Sequence, residues 1–404
     1  MSPGVAPLLT SRRWDARNAG LPDPNPILYF SGLTGGLFLL EERRAYIGLN
    51  MMEGVGPVGV RALRERLGDC AAIFTASRDE LMTADGVGPQ LAGRILDQRS
   101  RLDPDAEEER ARAFGATIIT FEDAAYPEPL RQIHDPPLAL YVRGTLLTGD
   151  RQAIAVVGTR RATHYGMETA RSLSYQLAQS GFAVVSGLAR GIDTAAHRGA
   201  LHGGGRTLAI LGGALDCLYP PENEDLAGEI AEQGALISEF PFGHHPNKNT
   251  FPMRNRLVSG LARGILVVEA GIKSGAMITA HQGLEQGRSV FAVPGRVDSL
   301  GSRGAHQLLK TGASLVESVD DILAEFEFLL PPKGVRESCD RLPTAMLTDD
   351  EAHLVDCMAE PETGVDSLIR QSGLPASAVN AMLVRLEMKR VLRMLPGRVV
   401  ARVR

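Results

Sequence analysis

Ala153-Ile154-Ala155-Val156-Val157, followed at once by Gly158-Thr159-Arg160, is the stretch whose reading decides the fold. Five small or β-branched apolar residues suit a strand buried on both faces, and the glycine turn ends it. Outward from it the pattern repeats. Phe182-Ala183-Val184-Val185 precedes Ser186-Gly187-Leu188-Ala189-Arg190-Gly191-Ile192-Asp193, and Ile265-Leu266-Val267-Val268-Glu269 precedes Ser274-Gly275. An apolar run, a small-residue turn and a helical pattern, repeated in this way, read as βα units. The fold class predicted is α/β, a core of βα units with a parallel sheet. In such a sheet the turns gather at the carboxyl edge, where helix N-termini offer unpaired N–H groups and positive dipole ends. That edge is expected to bind something phosphorylated.

The remainder divides by composition. Residues 1–40 carry Pro and Gly without periodicity and read as an uncertain, poorly ordered extension. Residues 41–104 read as short helices with an internal repeat, Gly54-Val55-Gly56-Pro57 and Gly86-Val87-Gly88-Pro89. Residues 105–330 hold the core domain, with further strands expected at Thr117–Thr120 and Leu138–Val142. Residues 331–346, with Pro331, Pro332 and Pro343, read as a linker. Residues 347–404 resemble a winged helix, with Val365–Ser372 as second helix, Ala376–Lys389 as third and Val391–Arg402 as wing.

At 404 residues the chain is long enough for several domains. Its net charge of -5 gives no global pull toward nucleic acid or anionic membrane. The balance is uneven, however. From Val365 to Arg404 eight Lys and Arg face only Asp366 and Glu387, so the tail is +6 and the rest -11. Cysteines at 70, 217, 339 and 357 form no close pair, which argues against a zinc site or disulfide framework. A reducing, cytoplasmic setting is expected. The apolar stretch Ile27–Leu40 has signal-like features, but its glycines weaken that reading. No segment reaches the length of a membrane span. No metal and no cofactor are expected.

Candidate binding residues follow from the turns. Arg160 comes directly after a strand, where a guanidinium can fork onto a phosphate; the plainer reading is a surface arginine capping a loop. Gly187, Gly191 and Gly275 allow close backbone approach, or serve turn geometry alone. Asp193 is expected to cap the helix that begins beside it. Lys248-Asn249-Thr250-Phe251-Pro252-Met253-Arg254-Asn255-Arg256 sets three cations around one aromatic ring. A base can stack on Phe251 while Lys248 and Arg254 or Arg256 meet the backbone. The plainer reading puts Phe251 in the core and pairs Arg256 with Glu239 or Glu269. The Gly54/Gly56 and Gly86/Gly88 turns look like a helix–hairpin–helix pair and can hold a nucleic-acid phosphate, or serve only packing. Arg385 and Lys389, on the third helix of the tail, suggest accessory DNA contact, or protein docking.

Several chemistries lack their signatures. There is no phosphate-loop G-x-x-x-x-G-K-[ST], no well-placed G-x-G-x-x-G and no G-x-S-x-G elbow. Glu239 and Glu269, at strand ends, can be read as an acid/base pair, but no nucleophile accompanies them.

The order of these stretches resembles the DNA-processing protein A family (DprA, also called Smf). The resemblance is carried by Val156–Arg160, His164-Tyr165-Gly166, Val185–Asp193, Leu211–Asp216 with Tyr219-Pro220, Ser238-Glu239, Phe251–Arg256, Val268-Glu269-Ala270, Ser274-Gly275 and Val293-Pro294-Gly295. It covers residues 40–404 and leaves 1–40 outside. The resemblance implies an extended Rossmann-type core domain in a non-catalytic protein that binds single-stranded DNA, forms homodimers and loads the RecA recombinase in natural transformation and recombination. It implies strand contact at Arg160, Lys248, Phe251 and the Ser274-Gly275 helix start; with the residues read from the turns, the expected strand-binding set is Gly158, Thr159, Arg160, Gly187, Gly191, Lys248, Phe251, Arg254, Arg256, Ser274 and Gly275. The family more often has Ser at the position of Thr159, which keeps the hydroxyl. The alternative is a nucleotide-processing enzyme using the same pocket. Related enzymes carry PGG-x-GT-x-x-E, from which Glu269–Ala276 departs.

Overall fold

The computed structural model describes the backbone of residues 33–326, 353–354, 357–358, 362–388, 392–395 and 399–402. Chain contacts divide it into two units, 1–325 and 326–404.

The first unit opens with helices α1 (Leu33–Met51), α2 (Pro57–Leu67), α3 (Cys70–Thr75), α4 (Arg78–Leu81), α5 (Pro89–Gln98) and α6 (Pro104–Ala113). Helix α1 begins ahead of the expected boundary at 41. No proline lies between Pro26 and Pro57, and Leu37, Leu39, Leu40, Glu41 and Glu42 favour the helix. The two glycine turns share one geometry. Gly54 and Gly86 have φ of +71° and +74°, and Gly56 and Gly88 are extended N-caps of α2 and α5, each followed by a proline. Val55 and Val87 anchor both turns in one apolar cluster with Leu49, Leu63, Ile73, Leu81 and Ile95.

A nine-stranded sheet follows. Its strands are β1 (Thr117–Thr120), β2 (Ala139–Gly144), β3 (Ala153–Val157), β4 (Ala183–Ser186), β5 (Thr207–Ile210), β6 (Ala235–Ser238), β7 (Gly264–Val267), β8 (Ser289–Ala292) and β9 (Ser314–Leu315), in the order β1-β2-β6-β5-β4-β3-β7-β8-β9. Only the β1–β2 and β2–β6 pairings are antiparallel. Every residue of β3 to β7 is buried, as expected of strands covered on both faces. The intervening helices are α7 (Glu128–Arg131), α8 (His164–Gln179), α9 (Ile192–His202), α10 (Glu224–Gln233), α11 (Thr250–Leu261), α12 (Gly275–Glu285), α13 (Arg303–Lys310) and α14 (Val319–Phe326). From β3 the chain lays β4, β5 and β6 to one side. It then crosses over through α11 and lays β7, β8 and β9 on the other. The reversal of strand order at β3/β7 leaves a crevice beyond the carboxyl ends.

The second unit carries β10 (Glu362–Gly364), α15 (Val365–Ser372), α16 (Ala376–Met388), β11 (Leu392–Leu395) and β12 (Val399–Arg402). The helices fall where the sequence places the second and third helices of a winged helix, and β11 and β12 pair antiparallel as its wing. Val365, Leu368, Val379, Leu383 and Leu386 form its core. Lys389 lies outside the described residues, as does the side chain of Arg385. The expected linker at 331–346 also lies outside them. No described helix is long and apolar enough to cross a membrane.

Candidate nucleic-acid interface

The carboxyl edge encloses a cleft of about 530 Å³. The loop after β3 brings Gly158, Thr159, Arg160 and Arg161 to it, and the loop after β4 brings Gly187. Lys248 and Phe251 arrive at the start of α11, and Ser274 and Gly275 at the start of α12. These segments are far apart in sequence and meet because parallel strands deliver all their following loops to one edge.

Buried polar groups build the floor. Arg254 is 4% exposed and donates from Nη1 to the carbonyls of Gly187, at 2.6 Å, and Ile210, at 2.5 Å. Burial lowers its pKa to about 10, against the pull of Asp193, so it stays charged at neutral pH. Asp193 accepts from the amides of Gly187 and Ala189 at 3.1 and 3.3 Å. It is therefore a clamp on the β4–α9 loop rather than the expected helix cap. Burial pushes its carboxyl pKa up, although Arg254 and these amides pull the other way. The same loop contains Leu188, a buried residue at φ +55°, in the left-handed region that non-glycine residues seldom adopt. Two groups hold it there. His197 Nε2 lies 3.3 Å from the Leu188 amide, and Asn223 Nδ2 donates to its carbonyl at 2.9 Å. Thr207 gives its hydroxyl proton to the Val184 carbonyl, so its oxygen accepts from His197 Nδ1 at 2.7 Å. His197 is thus neutral, and burial drops its pKa to about 3. Neither His197 nor Asn223 was predicted, because neither carries a spacing that marks it.

The glycines divide into two kinds. A Cβ at Gly187 would collide with the Arg254 guanidinium, at Gly158 with Ile192, and at Gly191 (φ +77°) with the Thr159 carbonyl. Their smallness serves internal packing. A Cβ at Gly275 would meet nothing within 4 Å, so this backbone alone among the four faces open space.

The rim is different. Arg160, Arg161 and Lys248 are exposed, and among the described residues no ion pair reaches them. Arg161 was not predicted; its signal is the doubled arginine after the strand. The Arg160 guanidinium carbon lies 4.8 Å from the centroid of the half-buried Phe251 ring, a cation–π contact. On the opposite wall α12 starts after Ser274 without a side-chain cap; the Met277 amide bonds the Ser274 carbonyl at 3.1 Å, while the Gly275 and Ala276 amides have no intrahelical partner. The Ser274 hydroxyl is buried without a hydrogen-bond partner. Cations, a ring and a positive helix end thus share one cleft, an arrangement suited to a phosphate backbone with bases attached.

Two predicted contacts, Gly191 and Arg256, are not among the residues that line the cleft. Arg256 is 6% exposed and pairs with Glu239 at 2.5 Å and Asp135 at 3.0 Å, because α11 turns it to the far side of the helix from the cleft. Burial pushes the Glu239 carboxyl up even so. Arg254 lines the cleft as expected, with Nη1 held by the carbonyls of Gly187 and Ile210 and Nε buried without a hydrogen-bond partner. Glu269 accepts from the Thr163 amide and hydroxyl at 3.0 and 2.9 Å, so it and Glu239 serve separate structural links rather than an acid/base pair. Gly54, Gly56, Gly86 and Gly88 lie in the helical segment, outside the cleft. Among the described residues no His, Cys, Asp or Glu cluster can hold a metal.

Comparison with known proteins agrees with this layout. Residues 117–327 match the family described as DNA recombination-mediator protein A. Residues 340–398 match a DprA winged helix domain, and residues 47–100 a SAM-like helix-hairpin-helix tandem. The chain is similar to Protein Smf of Synechocystis sp., 37% identical over 288 residues that span 70% of this chain and 72% of the relative. It is 43% identical over 206 residues to the DNA processing protein DprA of Streptococcus pneumoniae, spanning 51% of this chain and 73% of that one. The crystal structure of DNA processing protein A from Streptococcus pneumoniae superposes with a TM-score of 0.61 at 32% identity, over 72% of this chain and 97% of that one.

Proposed function

The chain belongs to the DNA recombination-mediator protein A family, and from that premise we propose that it is a non-catalytic mediator that binds single-stranded DNA along the carboxyl-edge cleft. One observation carries this reading: three cations free of ion pairs stand around a half-buried aromatic ring and an uncapped helix start. Phosphates sit on the Arg160-Arg161 turn and at Ser274-Gly275, with Lys248 adding charge. Phe251 provides stacking surface. Arg160 covers that ring in the free protein. A phosphate that draws the guanidinium away uncovers the ring for a base, so charge contact and stacking are linked. Such binding weakens with salt and has little sequence preference. The family resemblance further supports loading of RecA and a homodimeric state as the roles this binding serves, in recombination in the cytoplasm.

The test is fluorescence anisotropy of labelled oligo-dT and a matched duplex at two salt concentrations. The wild-type protein prefers the single strand, and Arg160→Glu with Lys248→Glu removes most of the binding. Retained affinity in that double variant overturns the site. Release of base or phosphate from a mononucleotide, lost in Glu269→Gln, would favour the enzymatic alternative.

A further inference from the structure

Beside the main cleft lies a smaller recess that shares Arg160, Gly187, Phe251 and Arg254 with it and adds Arg190, Tyr219 and Pro220. Arg190 comes from the loop between β4 and α9, and Tyr219 from the segment that follows β5. Tyr219 is 43% exposed, so much of a large ring is open to solvent. Its centroid lies 6.0 Å from that of Phe251, with the rings tilted by 54°. The Arg190 guanidinium carbon stands 5.7 Å from the Tyr219 centroid, as that of Arg160 stands 4.8 Å from Phe251. The four side chains form a row of cation, ring, ring, cation along the edge of the sheet.

A single strand alternates anionic phosphates with flat bases, and the row alternates the groups that bind them. The two ends differ in one respect. Arg160 has no carboxylate partner, whereas Arg190 is paired with Glu222 through Nε, both side chains being about half exposed. The Arg190 site is therefore neutralised until something anionic displaces Glu222.

We propose that Tyr219 and Arg190 form a second nucleotide subsite, which extends the strand path beyond Phe251 and which Glu222 keeps occupied in the free protein. Tyr219 stacks the next base. Arg190 exchanges Glu222 for a phosphate, so Glu222 sets a threshold that short oligonucleotides do not cross. This rests on the cleft binding single-stranded DNA, and the experiment separates the two ideas.

The full-length protein is titrated with an oligo-dT series from about 4 to about 16 nucleotides, a range typical of single-strand sites. Wild-type affinity should step upward at the length that reaches Tyr219. Tyr219→Ala should lose about tenfold beyond that length and nothing below it, and Tyr219→Phe should keep the step. Glu222→Gln should raise affinity for long oligonucleotides about threefold, the size of a released surface ion pair. It should also steepen the dependence of log affinity on log salt by about 0.7, one further counterion release. Wild-type affinity at every length for Tyr219→Ala, in a protein whose binding is lost on Arg160→Glu, overturns the subsite and leaves the cleft standing. Absence of single-strand preference in the wild type overturns both. A melting curve matching the wild type checks that each variant is folded; Tyr219 and Glu222 are exposed enough to expect it.

Discussion

Arg160 and Arg254 line the same cleft and do opposite work. Arg160 is exposed, free of ion pairs and laid on an aromatic face. Arg254 is buried, fixed by two carbonyls and wedged against Gly187. One belongs to what the cleft receives, the other to what gives the cleft its shape. Charge and location alone would class them together. Burial and committed hydrogen bonds separate them, and the same criterion sets Lys248 with Arg160, and Arg256 with Arg254.

The contrast is most sharply tested at the floor. Arg254→Met should cost about 3–5 kcal/mol in urea unfolding, because it leaves two carbonyls without a donor and removes the cation that offsets the buried Asp193 carboxyl. Arg160→Met should change stability by no more than about 0.5 kcal/mol while weakening strand binding about tenfold or more. Equal stability losses in the two variants would erase the distinction.

Acid should distinguish floor from rim. The folded pKa of His197, about 3, lies below the value of about 6.5 expected when unfolded. Between these values the unfolded chain binds the extra proton, so stability present above pH 6.5 is lost as pH falls toward 3. At pH 5 this amounts to about 2 kcal/mol. Asp193 and Glu239, whose pKa values are raised, push the other way, but they do so in His197→Gln as well. The gap in stability between wild type and His197→Gln should therefore narrow on acidification by about that amount. A constant gap would mean that His197 titrates normally.

Two glycine substitutions give the next comparison. Gly187→Ala should cost about 1–3 kcal/mol of stability through overpacking against a fixed guanidinium. Gly275→Ala should leave the melting temperature nearly unchanged and reduce only strand binding, since its Cβ enters open space. The smallest effect is expected at the rim. Lys248→Ala should weaken binding a few-fold and flatten the salt slope by about 0.7, with no change in unfolding.

The sheet core was legible because its strands are short apolar runs closed by glycine turns, a signal confined to a few adjacent residues. The winged-helix unit was legible too: the bounds of α15 are those read from the sequence, and α16 starts at the expected Ala376. What escaped depends on contacts between distant segments. Thr159 and Glu269 meet through a backbone hydrogen bond at 2.7 Å, across more than a hundred residues. Nothing near Phe251 announces that Arg160 will lie on its ring. Arg254 and Arg256 look alike in sequence, and only the angle at which α11 packs decides that one faces the cleft and the other Glu239. The cap assigned to Asp193 was a local rule overridden by a loop that needed its amides held.

Helix α1 puts Ile47 into the cluster that contains Tyr141 and Leu211, while Leu138 and Phe121, from the edge of the sheet, pack into the core of the helical segment. Asn50 donates to the Glu239 carbonyl at 2.9 Å, and Arg43 bridges Glu108 and Asp123. The helical segment is thus bolted to the sheet rather than hung from it. For anyone rebuilding this architecture from interchangeable parts, the seam cannot be cut between helix and sheet. Residues 105–144 must travel with the helices, or the graft will expose two unfinished cores instead of one clean surface.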